Sequence, residues 1–263
     1  KKVGLTALGT VLVAGSAQAA SMSVSGGTSI FFGGEDNSNG GNGWSMTDQV
    51  TFSASGEMDN GFTISTSLQL DGASAVGNVG PWDDRSLTID TGDMGVLVFS
   101  GHGSSGPVGA WDDLVPSANE ESWGTSIGGT VDGPTNSAVG NNSFIYDYTV
   151  SDGIALKAAY IPSKGTPIES STEIGIQYTG MEGLTISAAM GENNTTENAQ
   201  IDLTVFNIKY AMGPITVGYQ TNESDRGTGI DEDFSAYGVS YAVSDDLSIS
   251  YGASSIDYSG TTK

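Results

Sequence analysis

The sequence predicts an all-β protein, a transmembrane antiparallel up-and-down β-barrel with about thirteen strands. Three observations predict it. Strand-length segments alternate apolar and polar residues with a period of two. The connections between them alternate tight and long. The chain also opens on a secretory leader. The clearest segment is 62–70, where Phe62, Ile64, Leu68 and Leu70 share one face. Thr63, Ser65, Ser67 and Gln69 share the other.

Residues 1–19 have the order of a signal peptide. Lys1 and Lys2 form a positive start, 3–14 an apolar, Gly and Thr run, and Ala17-Gln18-Ala19 a small-residue cleavage site. The barrel domain is therefore expected to span 20–263. Its strands are expected at 22–32, 47–58, 61–71, 84–91, 95–101, 143–150, 154–162, 171–179, 184–191, 200–211, 214–222, 233–243 and 246–254. Alternation is regular in Ile174, Ile176 and Tyr178, in Leu184, Ile186, Ala188 and Met190, and in Leu247, Ile249 and Tyr251. The tenth segment slips phase between Val205 and Phe206, which predicts a β-bulge. The fifth, Val96-Leu97-Val98-Phe99, is apolar on both faces, as expected if something packs on its inner side.

Connections at 59–61, 92–94, 151–153, 180–183, 212–213 and 244–245 have hairpin-turn composition. Those at 33–46, 72–83, 102–142, 163–169, 192–199 and 223–232 are long. Membrane barrels place short turns on the periplasmic side and longer loops outside, and a soluble sandwich has no reason to sort them so regularly. Tyr160, Tyr178, Tyr210, Tyr219 and Tyr241 lie on apolar faces, as an aromatic girdle would require, although β-propensity also favours Tyr.

Composition excludes several functions. With 8 Lys plus Arg against 31 Asp plus Glu, the surface repels nucleic-acid phosphates. The absence of cysteine removes disulfides and thiolate metal sites, and one histidine is poor material for a catalytic triad. Gly101-His102-Gly103-Ser104-Ser105-Gly106 lacks the helix and Lys of a phosphate loop and is read as glycines that let the third loop bend. No cofactor motif is present. The oxygen-rich stretches 33–43 and 225–233 offer hard ligands for Ca²⁺ without EF-hand spacing, and solvated loops are the simpler reading.

The strand Gly95-Val-Leu-Val-Phe-Ser-Gly101, the very long third loop, Asn141-Asn-Ser-Phe-Ile-Tyr-Asp-Tyr148, Asp152-Gly153 and Leu156-Lys-Ala-Ala-Tyr160 together resemble the general diffusion porins of Gram-negative outer membranes, particularly the alphaproteobacterial type. The resemblance covers the mature chain in topology. In sequence it is specific mainly around the third loop and the hairpin after it. It implies a sixteen-stranded barrel, commonly a homotrimer, in contact with lipid and lipopolysaccharide and passing small polar solutes and ions. The third loop folds into the lumen in that family and sets acids against basic groups on the opposite wall. By position, the loop acids are Asp112, Asp113, Glu120, Glu121 and Asp132, each either lining the constriction or solvated. The opposite wall would hold Lys157, Lys209 and Arg85. Lys157 has lumen-facing parity, Lys209 follows if the bulge exists, and Arg85 shares parity with outward Leu87 and Ile89 unless a bulge intervenes. Residues 117–123 could form the loop's short helix.

The chain departs from the family pattern in three ways. The Pro-Glu-Phe-Gly-Gly-Asp stretch of many constriction loops is absent, the basic wall is thin, and no closing strand with a terminal aromatic follows Gly260. Thirteen strands is an odd number, whereas single-chain bacterial barrels carry even ones, so about three further strands are expected beyond the C-terminus. The resulting reading is a non-enzymatic, cation-preferring diffusion channel. A substrate-specific channel and a surface adhesin or structural barrel are the alternatives.

Overall fold

The computed structural model describes residues 21–32, 44–71, 82–117, 141–163, 165, 169–196, 199–227 and 230–260. The expected leader at 1–19, the 33–43 stretch, Glu120, Glu121, Asp132 and most of the expected 117–123 helix lie outside them. Thirteen strands form one sheet: β1 (Ser21–Phe32), β2 (Trp44–Glu57), β3 (Thr63–Asp71), β4 (Asp84–Asp90), β5 (Val96–His102), β6 (Ser143–Ser151), β7 (Ile154–Ile161), β8 (Ser171–Tyr178), β9 (Leu184–Thr196), β10 (Ala199–Met212), β11 (Ile215–Arg226), β12 (Ile230–Ser244) and β13 (Leu247–Gly260). Each strand is hydrogen-bonded to its sequence neighbours in strict order. Every pairing is antiparallel.

The two faces are inverted relative to a water-soluble barrel. On β8, Ile174 and Ile176 are 56% and 48% exposed, while Glu173, next to Ile174 on the opposite face, is 3% exposed. On β9 the inward Ser187 is fully buried and the outward Met190 is 62% exposed. An apolar exterior over a polar interior is stable only where the exterior meets hydrocarbon. The short-turn ends are tight because glycines adopt the left-handed region there, as Gly153 (φ 75°) and Gly183 (φ 75°) do. Tyr178, Tyr210 and Tyr241 sit outward near that end.

The strands outrun the apolar band on the long-loop side. β9, β11, β12 and β13 extend to Thr196, Arg226, Ile230 and Gly260, so two connections expected to be long shorten to residues 197–198 and 227–229. Alternating tight and long connections therefore hold for the first four long connections and fail for the last two. Alternation of apolarity locates only the part of a strand that touches lipid. Beyond it, β9 to β13 carry outward acids directly opposite one another: Glu192, Asp202 and Asp225 across β9–β11, and Glu223, Asp233 and Asp257 across β11–β13. All six are exposed. Like charges in register are costly, and bearable only in water, so these rows mark where hydrocarbon ends. On β10 the outward residues between Asp202 and the turn run from Thr204 through Phe206, Ile208 and Tyr210 to Met212. A tilted strand segment of that length matches the roughly 25 Å apolar band of outer-membrane barrels.

Two sequence expectations are corrected here. β10 has no bulge between Val205 and Phe206, because its register with β9 and β11 is continuous from Ile201 to Tyr210. The apparent slip arises because Ile201, Leu203 and Val205 point inward and are buried. Arg85 is not on the inner wall. It stands opposite the outward Leu68, and the irregularity beside it falls on β5 at Gly101, whose carbonyl accepts from the guanidinium at 3.3 Å. Among the described residues no helix is long and apolar enough to cross a membrane.

Ile176→Arg, at the middle of the outward band, is expected to cost about 2–4 kcal/mol in urea titrations of refolding into lipid vesicles. Asp225→Asn, above the band, relieves one in-register like-charge contact and is expected to leave the midpoint unchanged or raise it slightly.

Candidate functional site

The buried core of this molecule belongs to a strap rather than to the sheet alone. After β5 the chain turns at Gly103 (φ 83°) and runs along the inner, polar face. A single helical turn, α1 (Pro107–Ala110), contacts β7, β8, β9 and β10. Val108 and Trp111 pack with Ala189, Ile201, Leu203 and Val205. Farther on, Val115 packs with Phe234 and Ala236 on β12. Burying side chains such as Val108, Trp111 and Val115 stabilises the contact by about 1.5–3 kcal/mol each. This packing explains the inward apolar residues of β10.

The sheet is shaped to receive the strap. A methyl group on Gly175 would lie 2.2 Å from the Trp111 ring, one on Gly218 2.5 Å from the Pro116 ring, and one on Gly238 2.5 Å from Val115. Inward glycines at these three positions open a shallow channel across β8, β11 and β12.

Polar contacts fix the strap's register. The Val108 N–H donates to Glu173 Oε2 at 3.0 Å. Asn207 Nδ2 donates to the Trp111 carbonyl at 2.8 Å. The Gln220 amide donates to the Asp112 carbonyl, and Asn222 Nδ2 approaches the same oxygen at 3.5 Å. Gln220 is fully buried, Asn207 1% exposed and Asn222 3% exposed. A strap carbonyl that lost its donor would be stranded away from water at about 1–3 kcal/mol.

The expected site residues separate into distinct environments. Asp112 is 6% exposed, under the strap rather than on its open side. Burial first, then the neighbouring Asp113 and Glu173 carboxylates, push its pKa up to about 7 against a favourable bond from its own backbone N–H. Asp113 is exposed, yet partial desolvation raises its pKa as well, against a bond from its own backbone N–H. Lys157 points to the inner face and is paired with Asp147, its register partner on β6, at 3.0 Å. Lys209 also points inward, without the bulge once needed to put it there, and makes no ion pair among the described residues. Arg226, which sequence reasoning assigned to a loop, is an inward residue of β11 bound to Glu232 at 3.1 Å. Asp231 accepts the Arg226 N–H at 2.9 Å, so acids of the 225–233 stretch engage Arg226. Among the described residues no three His, Asp or Glu gather closely enough to hold a metal.

Sequence reasoning missed Glu173, Asn207, Gln220 and Asn222. Their inward parity was legible. Their partners lie 65 to 110 residues away along the chain, which no local pattern encodes.

An ordered antiparallel sheet with a lipid-compatible exterior and a strap over its polar face defines an outer-membrane β-barrel. The family described as Gram-negative porin matches residues 4–263, and the chain belongs to that family. Among solved structures it is similar to OmpT, an outer membrane protein of Vibrio cholerae, folded in vitro (14% identity, 92% of this chain and 78% of that one, TM-score 0.62). It is equally similar to the OmpT of Vibrio cholerae expressed in the outer membrane (16% identity, 93% and 78%, TM-score 0.62). A doubly substituted porin of Rh. blastica aligns at 14% identity over 89% of this chain and 94% of that one, with a TM-score of 0.52. No curated protein sequence matches the chain.

Docking of the strap is expected to weaken as pH rises. Released from the sheet, Asp112 would ionise in the ordinary carboxylate range, and docked it ionises near 7. Between those values the docked form holds an extra proton, so raising pH disfavours it, by on the order of 4 kcal/mol in total, and above about 7 the dependence flattens. Hydrogen exchange of residues 104–116, corrected for intrinsic rates, should show protection falling from pH 4 to 7. Asp112→Asn should remove most of that slope.

Proposed function

We propose that the protein is a passive diffusion channel for small hydrophilic solutes and ions, with the third connection, 103–142, narrowing its lumen. The observation that carries this reading is the strap. A segment docked across a polar inner face by buried amides at Asn207, Gln220 and Asn222 would occupy part of the cross-section of a barrel closed around it. Diffusion through such a lumen needs no catalytic group and no energy source.

Cation preference follows from the distribution of inner charges. Glu57, Asp71, Asp84, Asp90, Asp147, Glu173 and Glu232 lie on the inner face, against Lys157, Lys209 and Arg226. Two of those three cations are already matched by acids. An acid-rich lumen raises the local concentration of cations and lowers that of anions. On this reading Asp113, Glu120, Glu121 and Asp132 set the cation preference, whereas Asp112 is buried with its backbone carbonyl held by Gln220. The apolar exterior is the surface for lipid, and part of it would serve a homotrimer, with lipopolysaccharide meeting the strands above the band.

Planar-bilayer recording tests the proposal. Stepwise ohmic currents are expected, with a reversal potential in a KCl gradient that favours K⁺ over Cl⁻. Asp113→Asn combined with Glu120→Gln, Glu121→Gln and Asp132→Asn is expected to move that potential at least halfway to zero. Unchanged selectivity would remove the loop acids from the constriction, and silence from folded, inserted protein would refute the channel.

A further inference from the structure

The ion pair Lys157–Asp147 has a neighbourhood that the constriction does not account for. It forms part of the wall of a cavity of about 610 Å³ between the α1 end of the strap and the short-turn end of β5 to β8. Asp93, Thr149 and Gln177 add polar lining, and Val96 and Ala110 add apolar lining. The cavity is open to the inner face and large enough for a small solute.

We propose that this cavity is a binding step for α-amino-acid-type zwitterions on their way through the pore. The proposal rests on the channel reading above and names a class of solute for it. Lys157 Nζ donates to Asp147 Oδ1 at 3.0 Å and to Oδ2 at 3.3 Å, leaving donor capacity on the ammonium and acceptor capacity on the carboxylate. Both side chains remain partly open, at 21% and 43% exposure. An α-amino acid carries its own ammonium and carboxylate at a similar separation, so it can lie antiparallel to the pair. Its carboxylate then meets Lys157 and its ammonium meets Asp147. Four charges arranged in this way attract pairwise without placing net charge in the cavity, so the desolvation cost of a lone ion is avoided. Asp93 biases the site further toward the ammonium end, and a lone anion would meet two acids for one base. A short apolar side chain on the solute would face Val96 and Ala110.

The pair itself is neutral and only Asp93 adds net charge, so the site holds a base as well as acids and differs from a ring of acids. A ring of acids would bind any small cation. This geometry favours a solute with both signs and discriminates against the same molecule with its ends capped.

Single-channel recording with L-valine added to both sides, and N-acetyl-L-valinamide as the capped control, tests the proposal. Valine is expected to reduce the open-channel current along a saturating curve, and the control to reduce it only in proportion to its concentration. Asp147→Asn with Lys157→Met is expected to raise the half-saturating valine concentration about tenfold or more, as loss of charge-assisted bonds implies. The exchange Asp147→Lys with Lys157→Asp, which keeps a pair of reversed polarity, is expected to restore saturation. Channels that conduct but respond alike to valine and the capped control, or a neutralised variant that saturates like the parent, would overturn the zwitterion site while leaving the channel intact. If inserted protein carries no current at all, the channel reading and this inference fail together.

Discussion

A polypeptide in hydrocarbon has no water to satisfy its backbone, and the architecture of this protein follows from that constraint. Every spanning segment must give its N–H and C=O groups to a neighbour, which dictates an unbroken antiparallel ladder from β1 to β13. The ladder forces side chains to alternate, so each strand sends one set to lipid and the other inward. The lipid set must be apolar, as Ile174, Ile176 and Met190 are. The inner set is free to be polar, and that freedom supplies the groups that hold the strap.

The strap applies opposite physics on the inner side. There, water surrounds a loop that gains by burying Val108, Trp111 and Val115 against an otherwise polar wall. The wall meets it with inward apolar residues at Ile201, Leu203 and Val205, three inward glycines, and carboxamides aimed at strap carbonyls. The buried Asp112 works against this fit, since its carboxyl resists ionisation with Asp113 and Glu173 close by. Docking of the segment is therefore expected to depend on the protonation of this one strap residue, while its neighbour Asp113 is exposed.

Much of the fold was legible in the sequence because lipid imposes a strict local rule. Twelve strands could be placed from alternation and β5 from its apolar run, and their short-turn ends lie within a residue or two of the expected bounds. The rule stops where the lipid stops. The extensions of β9, β11, β12 and β13 were missed because acids such as Glu192 and Asp225 replace apolar residues there without breaking the strand. The site was less legible. Parity alone places Lys157 inward, and it argued against Arg85. The β10 phase slip was a true signal given the wrong cause, a tertiary contact with Trp111 and Val108 rather than a bulge. The clamps at Glu173, Asn207 and Gln220 join residues far apart in sequence, so no periodicity could reveal them.

Covalent capture of the strap tests the central claim most directly, and the absence of native cysteine makes the result unambiguous. Val115→Cys paired with Ala236→Cys places two thiols in a contact that exists only if the strap lies across the inner wall at β12. The account predicts that the folded, membrane-inserted protein forms this disulfide readily on mild oxidation, with single-channel conductance the same before and after reduction, because the bond fixes the segment where it already sits. Failure of the two cysteines to join, or a large change in conductance when they do, would contradict it.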